Sequence, residues 1–418
     1  MGKFLDVEWH SRYDGYGQAR LQRRSGVYHP YLPDPLANQA FTFNASLAAD
    51  VADAERAATR LNLEARVLAN TEALARILLR AESVASSRIE GLTVSAQRLL
   101  RADAARVEGD SPSDATALEV LANVDAMALT LEGAAHDITL ERILEFHRRL
   151  MEPARSAVGP GHIRSEQTWI GGTSYNPFGA AFVPPPAEAL PSLLDDLFEF
   201  CNGDSLPAIA QAAIAHAQFE TLHPFIDGNG RTGRALIHMI LKRRGLMTRT
   251  LLPVSLILAT RAQDYVAALQ STRYDGPPNS PLATNATNDW VGLFSGACTQ
   301  AASDAASFER RVETLQAEWR TRLGSVRSDS SALALLNRLP ETPIVTARIV
   351  EYALGVSYNT ANSALATLIS AGILASTRTG RRNRAFEARE LVDAFTDLEL
   401  GGDHDVNEHA ENHAVPVV

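Results

Sequence analysis

The densest run of chemically capable side chains is HPFIDGNGRTGR, His223 to Arg234. Pro224 forbids continuation of a helix that reaches His223, and Gly228, Gly230 and Gly233 let the main chain approach a bound group as the next helix begins. Free N–H groups at that helix N-terminus, with the peptide dipoles aligned behind them, favour a phosphate. Arg231 and Arg234 stand three apart, so both project from nearly one face of the first turn and can meet further phosphate oxygens. Asp227 alone would repel phosphates; Mg²⁺ between them turns repulsion into attraction, which makes Asp227 the expected metal ligand. His223, with an ordinary imidazole pKa of about 6.5, suits a general base that takes the proton of an attacking hydroxyl. The local logic is nucleotidyl or phosphoryl transfer.

Rival readings of the same glycines fail on context. Gly228, Gly230 and Gly233 satisfy GxGxxG, but that dinucleotide fingerprint must follow a β-strand, and here a helical pattern and His-Pro precede it. No Gly-Lys-Ser or Gly-Lys-Thr of a Walker A loop is present. A plain joint between two helices has no need of His, Asp, Asn and two Arg in one short run. Position by position, His223 to Arg234 resembles the full active-site motif of the Fic family, His-Pro-Phe-x-Asp-Gly-Asn-Gly-Arg-x-Gly-Arg. The resemblance implies a mainly helical bundle that transfers AMP from ATP to a hydroxyl (Ser, Thr or Tyr) of a target protein or of itself. It further implies His223 as base, Asp227 on Mg²⁺ and Phe225 as a core anchor. Asn229 with the main chain at Gly228, Gly230 and Gly233 would grip phosphate, and Arg231 and Arg234 would take the distal phosphates. Some members of the family use another phosphate-linked donor.

Two further segments gain meaning beside the motif. Ser86-Ser87-Arg88-Ile89-Glu90-Gly91 matches the family's inhibitory signature of Ser or Thr, three residues, Glu, then Gly or Asn. A Glu90 carboxylate on Arg234 would occupy the guanidinium meant for the γ-phosphate and place negative charge where ATP must bind. Ser86, one turn earlier, is positioned to steady Glu90, and the same carboxylate can orient water to remove AMP from a modified side chain. In the stretch Thr168 to Pro186, Gly171, Gly172, Asn176 and Gly179 supply turn chemistry between β-prone residues, so a short hairpin is expected. The resemblance makes this a flap that adds the target segment as a strand, with Ile170, Gly171 and Gly172 at the edge.

These groups must be held by helices. Apolar residues three and four apart predict helices over 46–66, 71–90, 114–133, 139–151, 189–202, 206–222, about 230–244, 254–269 and 288–323. Leu74, Ile77, Leu78, Ala81, Ala85 and Ile89 form one such stripe, and Gly91 suits the residue that ends it. The first 40 or so residues, rich in aromatics, Pro and Arg, are expected to form an arm with little regular structure. Near the C-terminus, helices over 346–353 and 358–371 flank Gly355, and TRTGRRNRAFE follows, which suggests a winged helix-turn-helix. Its Arg378, Arg381, Arg382 and Arg384 can meet a phosphate backbone, yet acids balance them, so DNA, a docked protein or a second copy in a homodimer are alternative partners. The expected organisation is an arm with the inhibitory helix (1–110), a catalytic core (111–325), the winged helix (331–400) and a disordered acidic tail (401–418).

Composition fits this reading. With 39 Lys plus Arg against 49 Asp plus Glu the net charge is −10, which excludes a uniformly basic, DNA-coating protein. The longest apolar runs fall well short of the roughly 18 residues a membrane span needs, and the first residues lack a signal-like apolar core, so a cytoplasmic protein without membrane contact is expected. Cys201 and Cys298 stand alone, without metal-ligand spacing, and read as buried apolar residues.

Overall fold

A computed structural model of the chain describes residues 2–11, 20, 22–64, 71–109, 112–131, 136–153, 159–248, 250–377 and 384–400. The arm is more regular than its composition suggests. Strands β1 (Lys3–Phe4), β2 (Val7–Trp9), β3 (Gly26–Tyr28) and β4 (Tyr31–Leu32) form two antiparallel pairs, β1 with β4 and β2 with β3. Strands of two or three residues show no alternation to read, and their pairing is fixed by what lies beneath. Trp9 meets Tyr28 and Trp169 edge-on, and Tyr31 N–H donates to Val183 O at 2.9 Å.

The helices of the bundle follow in chain order: α1 (Ala45–Glu64), α2 (Thr71–Ile89), α3 (Ala96–Val107), α4 (Ala115–Leu131), α5 (Leu140–Met151), α6 (Leu190–Asn202), α7 (Ala208–Leu222) and α8 (Asn229–Arg243). α9 (Val254–Thr260), α10 (Ala262–Ser271) and α11 (Pro281–Leu323) complete them. α3 was not anticipated, although Ser95 caps it through the N–H of Arg98. The single helix expected over 254–269 is two, broken where Arg261 leaves helical geometry at φ −117°, ψ 39°. α11 starts earlier than its apolar pattern because Ser280 is its N-cap and Pro281 its first residue, a position where a missing N–H costs nothing.

α7 lies at the centre, and every one of its residues is buried. Its Ala-rich sequence allows close approach from all sides: α8, α6, α11 and α1 pack around it, and Trp290 of α11 donates its indole N–H to Ala213 O at 2.7 Å. On α8, Leu236, Ile237, Ile240 and Leu241 are fully buried, each worth about 1.5–3 kcal/mol of transfer free energy. α2, which leads into Glu90 and Gly91, packs on α4, α8 and α9.

The C-terminal unit contains α12 (Ser331–Arg338), β5 (Ile344–Val345), α13 (Ala347–Leu354), α14 (Tyr358–Ser370), β6 (Ala375–Ser376), β7 (Phe386–Glu387) and α15 (Arg389–Glu399). The strands form an antiparallel sheet in the order β5-β7-β6. Gly355, at φ 63°, makes the turn from α13 to α14. A second apolar core includes Leu336, Val350, Leu368 and Leu391, together with Trp319 of α11 and Leu100 of α3, so the unit is packed onto the bundle. Residues 378–383, with Arg378, Arg381 and Arg382, and the tail 401–418 lie outside the described residues. Arg384 is exposed. Both cysteines are buried and free, and no helix among the described residues is long and apolar enough to cross a membrane.

Candidate active site

The site is built where α7 stops and α8 starts. His223 N–H makes the last helical bond of α7, to Phe219 O at 3.0 Å; Pro224 has no N–H to continue it, and His223 turns left-handed at φ 47°. Among the described residues no other non-glycine has positive φ. Phe225 is fully buried and stacks on His147 of α5, ring centroids 3.7 Å apart, which anchors the loop as expected. His147 Nδ1 accepts from Gly161 N–H (2.8 Å), so its proton sits on Nε2 and is donated to Asp227 O at 2.9 Å. Burial lowers the His147 pKa, against opposing hydrogen bonding and charge from Asp227, and keeps the ring neutral.

Asn229 also holds the loop itself. Its side-chain oxygen accepts from Phe225 N–H (2.8 Å) and its amide nitrogen donates to Phe225 O (2.9 Å). Each end of the amide makes one bond inside the loop, so Asn229 braces the cradle and keeps one amide N–H beyond those bonds. Gly228 takes φ 78° as the N-cap of α8, and a Cβ there would lie 2.9 Å from Met151 Sδ. A Cβ on Gly233 would overlap the Glu220 carboxylate, so this glycine lets α8 press against α7.

The two arginines diverge. Arg231 reaches toward Met151 on α5, and its buried Nε has no hydrogen-bond partner among the described residues. Arg234, 1% exposed, points to α2: Nε donates to Ser86 Oγ, and Nη2 to both Ser86 O and Glu90 Oε1, all at 2.8 Å. Ser86 thus holds Arg234 and not Glu90 itself. Burial works against the Arg234 charge, but Glu90 foremost, with Tyr265 and Glu220, outweighs it and raises the pKa. A Cβ on Gly230 would overlap Glu90 Oε1, so the Glu90 carboxylate lies directly over the first turn of α8, where the helix dipole favours an anion.

Glu90 comes to this point because α2 ends on it. Gly91 N–H donates to Arg88 O (3.0 Å) and Leu92 N–H to Ser87 O (3.0 Å), with Gly91 at φ 81°: a Schellman closure that makes Glu90 the cap residue.

Beneath the cradle, burial drives the His223 pKa down to about 3, helped by the positive charges of Arg164 and Arg273. The imidazole is neutral throughout the physiological range, and its Nδ1 has no hydrogen-bond partner among the described residues. Glu220 is also buried, with no hydrogen bond to either carboxylate oxygen among the described residues and His216 Nδ1 4.0 Å away, and burial pushes its pKa up to about 8.

The flap is slighter than a hairpin. Ile170 and Phe182 form an isolated antiparallel bridge, with Ile170 N–H to Phe182 O and Ala181 N–H to Ile170 O both at 2.8 Å. Gly171 and Gly172, each at φ 73°, turn the chain away before a ladder can form. The bridge takes up the main chain of Ile170, so Ile170 is not an open edge; by alternation the outward-facing groups next to it belong to Trp169 and Gly171.

Asp227 is exposed at the start of α8, its Oδ1 accepting from Gly228 N–H at 2.6 Å. Among the described residues no group of three or more His, Cys, Asp or Glu could hold a metal by itself. A single exposed carboxylate beside a phosphate cradle is nevertheless what Mg²⁺ uses when phosphate oxygens and waters complete its shell, so the residues fit that ion.

The Fic/DOC family model matches residues 137–241, which span α5 to α8 and the whole loop, and the Fic/DOC N-terminal model matches residues 48–132, which include α2. The chain belongs to the Fic family. This Fic chain is 37% identical over 135 residues to protein adenylyltransferase fic-1 of Caenorhabditis briggsae, covering 32% of the chain and 24% of that protein. Against the protein of the same name from Caenorhabditis elegans it is 37% identical over 142 residues, covering 33% and 25%. It thus spans about a quarter of the length of the curated relatives it matches. A crystal structure of a Fic family protein from Desulfovibrio desulfuricans G20 shares the fold over 83% of this chain and 97% of that one, with TM-score 0.51 and 22% identity.

Proposed function

We propose that this Fic protein is a protein adenylyltransferase held in an inhibited state. The observation that carries the reading is the contact of Glu90 with Arg234 over the first turn of α8, because it sets a carboxylate against the groups suited to a triphosphate. In the reaction, the oxygen of a target Ser, Thr or Tyr attacks the α-phosphorus of ATP. The bond to the β-phosphate breaks, pyrophosphate leaves, and His223 accepts the hydroxyl proton. The His223 imidazole is neutral and so open to a proton, and the negative charge of bound phosphates would raise the basicity that burial and the two arginines lower. The free main-chain N–H groups in the first turn of α8, that of Gly230 among them, with Arg231, would bind phosphates, and Arg234 would do so once Glu90 withdraws. Asp227 would hold Mg²⁺, which neutralises phosphate charge when bound. The outward main chain at Gly171 is the place where a target strand would pair.

The C-terminal unit we read as a winged helix-turn-helix, on the succession α13, Gly355, α14 and the β6–β7 pair. A duplex-DNA shift that weakens with salt and is lost in Arg381→Ala, Arg382→Ala is the result expected of a DNA-contacting wing.

The test of the enzymatic reading is incorporation of labelled AMP, into the protein itself or a target, with Mg²⁺ and ATP. Glu90→Gly is expected to raise labelling about tenfold or more, the effect of freeing one charge-assisted phosphate contact, and His223→Ala in that background to abolish it. Equal labelling by the wild type and Glu90→Gly would refute the inhibitory contact. Intact mass of Glu90→Gly after incubation with each of several nucleotides identifies the donor: a gain of one AMP supports the proposal, and loss of AMP from a modified target would mark the reverse reaction.

A further inference from the structure

Arg164 precedes the flap and is 4% exposed, yet among the described residues it makes no ion pair or hydrogen bond with a carboxylate. Its guanidinium is surrounded by main-chain carbonyls. Nε donates to His223 O at 2.8 Å, Nη2 to Pro185 O at 2.7 Å and Leu222 O at 3.3 Å, and Nη1 to Glu166 O at 3.0 Å. Its own N–H donates to Pro224 O at 2.9 Å. These carbonyls belong to three separate pieces of chain: the end of α7 with the left-handed residue after it, the entering leg of the flap at Glu166 and the leaving leg at Pro185. Carbonyls freed at the end of a helix must find donors when buried, and only a planar fork of five N–H groups reaches so many at once.

We infer that Arg164 is a positioning residue of the transfer reaction: one buried guanidinium holds His223 in its left-handed turn and ties that turn to both legs of the flap. The base and the strand that presents the target hydroxyl are thereby set by the same group, and the inference rests on the AMP-transfer reading. The charge of Arg164 has a second effect. The groups that bear on the His223 imidazole are Arg164 from before the flap, Arg273 from beyond α10 and the main chain of Glu220 on α7; burial first, then the two arginines, keep the ring from protonating.

The test uses the full chain in the Glu90→Gly background, with Arg164→Lys and Arg164→Met compared with the parent. Lysine keeps the charge but has no planar fork, so kcat for AMP transfer is expected to fall about 10- to 100-fold while KM for ATP stays within about twofold. Methionine also removes the charge, so the imidazole resonance of His223 should titrate at higher pH than in the parent or in Arg164→Lys. Amide exchange at Ile170 and Phe182, whose N–H groups hold the flap bridge, should quicken in both variants, a readout independent of activity. Folded variants that keep kcat within twofold of the parent and exchange these amides no faster would overturn the inference, as would an unmoved His223 titration in a folded Arg164→Met. If Arg164→Met does not fold, Arg164→Lys alone decides, through kcat and the amides. A Glu90→Gly parent without transfer activity would count against the enzymatic reading, and the amide and imidazole measurements would still decide the role of Arg164.

Discussion

Glu90 and Arg234 illustrate how one buried ion pair can be both structural support and obstacle. Arg234 is enclosed by Ser86 and Glu90, so removing the carboxylate leaves a desolvated cation short of a partner. Breaking a buried pair on one side costs about 3–5 kcal/mol. Glu90→Gly should therefore unfold at lower denaturant concentration than the wild type without nucleotide, and ATP with Mg²⁺ should return more stability to the variant, because the triphosphate then supplies the anion. Equal ATP stabilisation of both proteins, measured by denaturant or thermal unfolding, would contradict the idea that carboxylate and phosphate compete for one guanidinium. This pair could be read from the chain because each partner stands in a dense local signature. Arg164 and His147 could not: their partners are main-chain carbonyls and N–H groups distant in sequence, and such groups leave no mark in residue type. The bracing by Asn229 was hidden for a related reason, since a side chain in a polar loop can hydrogen-bond the loop itself as readily as a ligand.

At the scale of elements, the position of Glu90 depends on where α2 ends. The Schellman closure needs a left-handed residue at Gly91, and a Cβ there would meet nothing within 4 Å, so a substitution acts through backbone conformation alone. Gly91→Asn, which tolerates that conformation, should leave AMP labelling close to wild type. Gly91→Val costs about 1–2 kcal/mol in the left-handed region, should fray the last turn of α2 and should raise labelling toward the level of Glu90→Gly. Equal labelling by the two variants would show that the end of α2 does not position the carboxylate. The rest of α2 is fixed independently: Glu82 accepts from His238 of α8 at 2.8 Å and from Ser255 N–H at the start of α9 at 2.8 Å, all three residues fully buried. Helices such as α2, α5 and α8 were legible because each buries a stripe of apolar residues at helical spacing. The strands of the arm were not, since their pairs form between short segments distant in the chain; the flap was legible from its turn residues, though as a longer hairpin than the single bridge of Ile170 with Phe182.

Across the whole molecule, two arginines of α2 tie the bundle to the C-terminal unit. Arg80 of α2 donates to Glu341 O at 2.7 Å, and Arg88 to Glu399 O at 3.0 Å, so α2 is attached to the C-terminal unit near its middle and at its end. Glu399 is buried, and burial raises its carboxyl to about 8, as it does that of Glu220. His216 and His223 are shifted the other way, both to about 3, again by burial first. The signs then fix how stability follows pH. From about pH 3 to 4.5 the unfolded chain binds protons at both histidines that the fold refuses, so stability rises with pH by about 1.4 kcal/mol per unit for each ring. Between about 4.5 and 6.5 the folded protein holds protons on the two glutamates that the unfolded chain has released, and this slope opposes that of the histidines, to which His147, also lowered by burial, adds. Above about 6.5 the histidines are neutral in both states and only the glutamates count, so stability declines as pH approaches 8. Urea unfolding at pH 4, 5.5 and 8 should therefore place the midpoint highest at 5.5. Glu220→Gln and Glu399→Gln together should remove the decline above about pH 6.5 and turn the opposed slopes between about 4.5 and 6.5 into a continued rise, with the slope below about 4.5 unchanged, whereas a wild-type midpoint that keeps rising to pH 8 would mean that both carboxyls are ionised inside the fold.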